Sequence, residues 1–91
     1  MITSSSNPRM KQVVQWQTKA KERRKDNIFL VEGFKMFEEA PIEDIREVYL
    51  AEDALEKLHD RPELKQKLEQ TGYEVVSTDI FRMISDTQTP Q

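Results

Sequence analysis

Residues 45–76 read IREVYLAEDALEKLHDRPELKQKLEQTGYEVV, and this stretch decides the fold class. Ile45 to Leu50 has a strand pattern, with Val48 and Leu50 on one face and Tyr49 on the other. Asp53 to Leu58 reads as a short helix. Pro62 suits the first position of another helix, with Leu64 and Leu68 as core contacts and Gly72 as its stop. Tyr73 to Val76 then returns to strand. Strands that alternate with helices imply a small α/β sandwich with a largely parallel sheet.

The flanks continue the alternation. Upstream, Ile28-Phe29-Leu30-Val31 is a continuous apolar run with two β-branched residues and an aromatic one. It reads as a strand buried on both faces, ended by Glu32-Gly33. Phe34, Phe37 and Ala40 recur at helical spacing on a short helix stopped near Pro41. Downstream, Ser77-Thr78-Asp79 caps a last helix through Ile80, Phe81 and Ile84.

At the start of the chain, Thr3 to Ser6 form a polar lead-in, so residues 1–6 are expected to be mobile. Asn7-Pro8 then opens a helix, since asparagine caps well and proline at the first turn loses no needed N–H. Met10, Val13, Val14, Gln17 and Ala20 make its buried stripe, and it frays near Arg24. Lys25-Asp26-Asn27 forms a turn, with Asn27 placed to adopt a left-handed conformation.

Ninety-one residues suffice for one domain with a modest core. The chain is 36% hydrophobic and 34% charged, and no apolar run approaches the ~20 residues of a membrane span. Its first residues lack the pattern of a secretory signal. There is no cysteine and one histidine, His59, so thiolate sites and histidine clusters are excluded. This suits a cytoplasmic protein. The two glycines stand alone, so there is no glycine-rich phosphate loop. No nucleophile, base and orienting group can be assembled into an active site. His59, Glu38-Glu39 and Glu43-Asp44 read as solvated surface groups.

The net charge of −3 conceals an asymmetry. Residues 1–25 carry Arg9, Lys11, Lys19, Lys21, Arg23, Arg24 and Lys25 against one acid, Glu22, for a charge of +6, and residues 26–91 carry −9. A concentrated basic segment is the footprint of a polyanion partner, although a solvated basic helix face has the same composition. Lysine and arginine neutralise phosphates, and arginine holds them in bidentate fashion. The spacing of Lys11, Lys19 and Arg23 places them near one face of a continuous helix. Arg24 and Lys25 lie where that helix ends. Trp16 either completes the core, the commoner role, or stacks on a base. Asn7 could contact RNA, though capping suffices to explain it. Glu32, after an expected strand and before a glycine, stands where open α/β sheets place ligand contacts. The simpler role is to cap the next helix or to orient a nearby arginine.

Ser6-Asn7-Pro8-Arg9-Met10-Lys11, then Lys21-Glu22-Arg23, then Phe29-Leu30-Val31-Glu32-Gly33 followed by Glu38-Glu39-Ala40, resembles the N-terminal substrate-binding domain of SpoU-family (TrmH-type) RNA 2′-O-ribose methyltransferases. Ser85 to Gln91 resembles that family's linker to its catalytic domain. The resemblance implies a three-layer α/β/α sandwich, similar to ribosomal proteins that bind kinked RNA. It implies an RNA substrate-binding domain over residues 1–84 and a linker from 85, with structured RNA, ribosomal RNA foremost, as partner. A separate knotted domain would bind S-adenosylmethionine, methylate the ribose and mediate homodimerisation. These 91 residues would then be monomeric and inactive alone, with no cofactor of their own. Asn7, Lys11, Arg23 and Glu32-Gly33 match the family's residues. Arg9, Lys19, Arg24 and Lys25 join the expected RNA-binding set by charge. Two departures stand out: Asn27 replaces a frequent glycine, and Pro41 arrives early. The alternatives are a stand-alone ribosomal-type RNA-binding protein without enzymatic activity, and a protein-interaction module that works through its acidic portion.

Overall fold

The computed structural model describes residues 1–86. The elements are α1 (Pro8–Thr18), α2 (Ala20–Asp26), α3 (Phe34–Glu39), β1 (Tyr49–Ala51), α4 (Pro62–Thr71), β2 (Glu74–Val76) and α5 (Thr78–Asp86). Segments of 3-10 helix occupy Ile42–Asp44 and Glu52–Asp60. β1 and β2 pair in parallel, with Tyr49 opposite Glu74, Leu50 opposite Val75 and Ala51 opposite Val76. The crossover through α4 makes this direction possible, since parallel neighbours need a long connection. The α/β class with a parallel sheet is as the sequence implied.

Two apolar clusters divide the core. Ile2, Met10, Val13, Val76, Ile80 and Ile84 form one, with Val14, Trp16, Tyr49 and Phe81 against it. Leu50, Leu58, Leu64 and Leu68 form the other, with Phe34, Phe37 and Val48 packed on it. Tyr49 thus joins one cluster while its neighbours Val48 and Leu50 join the other, as strand alternation requires. Helices α1 and α5 supply four of the six residues of the first cluster, and α4 supplies two of the four in the second.

Local chemistry explains the helix ends. Asn7 caps α1, its Oδ1 accepting from the Arg9 backbone N–H at 2.8 Å. Pro62 opens α4, and Gly72 closes it at φ +75°, where a side chain would be strained. Asn27 ends α2 in the left-handed region, at φ 56° and ψ 51°. The next amide, from Ile28, donates back to the Arg23 carbonyl at 3.0 Å, closing the helix as a Schellman turn does.

Three expectations are corrected. Ile28–Val31 is not a strand, and Phe29 is 80% exposed, with Leu30 and Val31 also at the surface. The turn at Asn27 commits the Ile28 amide to α2, and no ladder partner meets the run among the described residues. The lead-in is not free at Ile2, which is 5% exposed and bridges Val76 in parallel. Its N–H donates to Val75 and its carbonyl accepts from Ser77, both at 2.8 Å, so this residue takes the third place beside the sheet. Residues 7–24 are not one helix. Lys19 is extended, at φ −126° and ψ 104°, and separates α1 from α2. Ala20 is consequently exposed rather than part of the buried stripe.

Smaller differences concern boundaries. The strand expected from Ile45 begins at Tyr49, and the helix expected over Asp53–Leu58 is a 3-10 segment. α5 continues through Ser85 and Asp86, past the expected start of the linker, and residues 87–91 of that segment lie outside the described residues.

Candidate nucleic-acid interface

The basic segment folds as the α1–α2 pair. Lys11 is exposed on α1, and Lys21, Arg24 and Lys25 are exposed on α2. Arg23, Arg24 and Lys25 occupy the last turn of α2, where cations complement the helix dipole. The extended Lys19 interrupts the face that a continuous helix would have given Lys11, Lys19 and Arg23. Lys19 and Arg23 remain neighbours across the first turn of α2, whereas Lys11 sits on a different helix.

Arg23 is only half-buried, yet its guanidinium is engaged. Its Nη1 donates to the carbonyls of Trp16 at 2.5 Å and Gln17 at 3.1 Å, the acceptors left open where α1 stops. Trp16 packs against the first core cluster and donates its indole N–H to Asp26 Oδ2 at 2.8 Å. It therefore takes the core role. Asn7 is accounted for as a cap. Glu32 is exposed and accepts from the Ser85 hydroxyl at 3.3 Å. Since Ile28–Val31 is no strand, Glu32 does not follow one at the carboxyl end of the sheet. It lies instead beside the last turn of α5.

Arg9 leads to residues that sequence reasoning missed. Its Nη1 lies 3.3 Å from Glu74 Oε1, an ion pair exposed on both sides. Beside it is an open cleft of about 360 Å³ lined by Arg9, Arg46, Glu47, Tyr49, Tyr73 and Glu74, among others. Tyr49 and Glu74 are the first residues of β1 and β2, so the cleft lies at the amino ends of the strands. The Tyr49 hydroxyl donates to Glu47 Oε1 at 2.5 Å. Burial, this hydrogen bond and the Glu47 charge hold the Tyr49 phenol well above the usual tyrosine range. Arg9 apart, no sequence signal marked these residues as a site, because the cleft forms only when the two strands align. Among the described residues, no cluster of acidic or histidine side chains could hold a metal ion.

A family model described as the MRM3-like substrate binding domain matches residues 7–91. The chain belongs to this family. The result agrees with the resemblance to the SpoU-type N-terminal substrate-binding domain. No curated protein and no solved structure gives a significant match. The matched span of the MRM3-like domain opens on Asn7, the cap of α1, and takes in the whole basic helix pair. Ile2, which bridges Val76 inside that span, precedes it. No helix among the described residues of the MRM3-like domain is long and apolar enough to cross a membrane.

Proposed function

We propose that this domain holds structured RNA, ribosomal RNA foremost, as the substrate of an S-adenosylmethionine-dependent 2′-O-ribose methyltransferase of the SpoU type. The observation that carries the reading is the +6 charge of residues 1–25, folded into adjacent helices with Lys11, Lys21, Arg24 and Lys25 exposed. Such a surface releases counterions from a phosphate backbone and orients the RNA without reading its bases. Lys19 extends it across the helix junction. Arg23 acts by holding α1 and α2 together, and Asn7 by starting α1. Arg9 stands at the border with the cleft, and Glu32 anchors the segment before α3 to α5.

Methyl transfer belongs to a separate catalytic domain of the same enzyme, which binds S-adenosylmethionine and forms the homodimer contact. These 91 residues bind substrate as a monomer and do not catalyse the reaction. The proposed setting is the cytoplasm.

Titration of the labelled domain with ribosomal RNA fragments, followed by amide chemical shifts, tests the reading. Perturbations concentrated in residues 7–35 are expected. Perturbations confined to the acidic residues 52–70 would overturn it. Lys11→Ala and Lys19→Ala should each flatten the logarithmic salt dependence of binding by about 0.7–0.9.

A further inference from the structure

The cleft beside Tyr49 is not accounted for by RNA binding through the exposed lysines and arginines of α1 and α2. At about 360 Å³ it falls within the ~300–1,000 Å³ of small-ligand sites. It combines an aromatic ring, Tyr73, which is 40% exposed, with two guanidinium groups, Arg9 and Arg46, and two carboxylates, Glu47 and Glu74. The formal charges of these four groups cancel. A run of phosphates is poorly matched to such a wall, because each carboxylate repels it. One nucleotide is well matched. Its flat base has a ring to stack on, the N–H groups of its edge have carboxylate oxygens to donate to, and its single phosphate has the arginines.

The cleft is also placed where an RNA strand would run. Arg46 Nη1 donates to the Asp26 carbonyl at 2.8 Å, which ties the cleft to the end of α2. The basic last turn of α2 is thus next to it. Arg9, which also lines the cleft, projects from the first turn of α1. The Arg9–Glu74 ion pair joins α1 to β2 across the cleft, and the Tyr49 hydroxyl is hydrogen-bonded to Glu47.

We infer that this cleft receives one unstacked ribonucleotide of the bound RNA, its base on the Tyr73 ring and its phosphate on Arg9 and Arg46. The inference rests on the RNA-binding reading above and adds a base-accepting site to it. A strand tracked by the basic helices turns one base into the cleft, which sets the register of the RNA on the domain.

Fluorescence anisotropy with a labelled single-stranded RNA octamer of mixed sequence, and with an RNA duplex as control, provides the test. Tyr73→Ala should weaken octamer binding about tenfold, the scale of losing one stacking platform, and leave duplex binding nearly unchanged. Tyr73→Phe should retain the affinity, since the ring and not the hydroxyl stacks. Arg46→Gln should weaken octamer binding and reduce its salt dependence. Circular dichroism confirms that the variants are folded. If Tyr73→Ala binds the octamer as the unaltered domain does while Lys11→Ala weakens it, the cleft assignment fails and the RNA reading stands. If the unaltered domain binds neither RNA, both fail.

Discussion

Arg23 reaches back across the break between α1 and α2 to place its Nη1 2.5 Å from the carbonyl oxygen of Trp16. An arginine of the expected RNA-binding set is therefore the group that closes the end of α1. It also donates to Gln17, while Trp16 itself holds Asp26 on α2, so the two helices are tied in both directions. The basic surface depends on this tie, because it fixes where Arg24 and Lys25 point relative to Lys11.

Arg23→Ala should lower stability by about 1–2 kcal/mol through the loss of a charged donor to two helix-end carbonyls. In a domain of this size that is a fall of roughly 4–16 °C in Tm. Arg23→Lys should recover part of this, since both bonds come from the one nitrogen Nη1 and an ammonium carries three donors. RNA affinity should fall in both variants. A Tm equal to that of the unaltered protein, with weaker RNA binding, would instead make Arg23 a direct RNA contact.

Lys67 has a comparable role at the other core cluster. Its Nζ donates to the carbonyls of Phe37, Glu38 and Ala40 at 2.7, 2.8 and 2.5 Å, capping α3, and lies 5.1 Å from the centre of the Phe37 ring. Lys67→Met keeps the aliphatic stem and removes every donor. Urea denaturation should show a loss of about 2 kcal/mol. Lys65→Met, on the exposed side of the same helix, should change stability little.

Ile2 tests the docking of the first residues. Ile2→Ala removes a side chain that is 5% exposed in the first core cluster and should cost about 2 kcal/mol, near the low end for such truncations. Thr3→Ala, exposed, should be close to neutral. Hydrogen exchange should show a protected Ile2 amide, which donates to Val75. An unprotected amide together with a neutral Ile2→Ala would restore the mobile lead-in.

Tyr49 predicts an alkaline limit to stability. Its phenol is raised from 10.0 in the folded state, mainly by burial and then by Glu47. The folded protein thus holds this proton more tightly than the unfolded chain. The contribution is fully present below pH 10 and is lost as the pH rises beyond it. Denaturation midpoints measured above pH 10 should decline, and Tyr49→Phe should flatten that decline. An identical slope in the variant would assign the alkaline loss to other groups.

Much of the fold is legible in local sequence, for a physical reason. Helix ends depend on backbone groups within a few residues, so Asn7-Pro8, Pro62 and Gly72 mark them directly, and Asn27 takes its left-handed turn because asparagine tolerates it. Alternation along a strand is equally local, which is why Val48 and Leu50 part from Tyr49. The charge asymmetry needs no structure at all. The cleft was illegible because Arg9, Arg46, Tyr49 and Tyr73 meet only across paired strands and through a salt bridge to Glu74.

The apolar run Phe29-Leu30-Val31 and the lone Ile2 show the division most clearly. Hydrophobicity states that a segment gains by leaving water, not which surface it reaches. Local sequence determined that residues 45–76 form two strands with helical turns between them and that the basic charge of residues 1–25 is carried on helix from Pro8 onward. Only tertiary structure decided that Ile2, rather than Ile28–Val31, lies beside β2. The choice turns on backbone partners far apart in the chain: Ile2 finds Val75 and Ser77 open, while the Ile28 amide is already committed to closing α2.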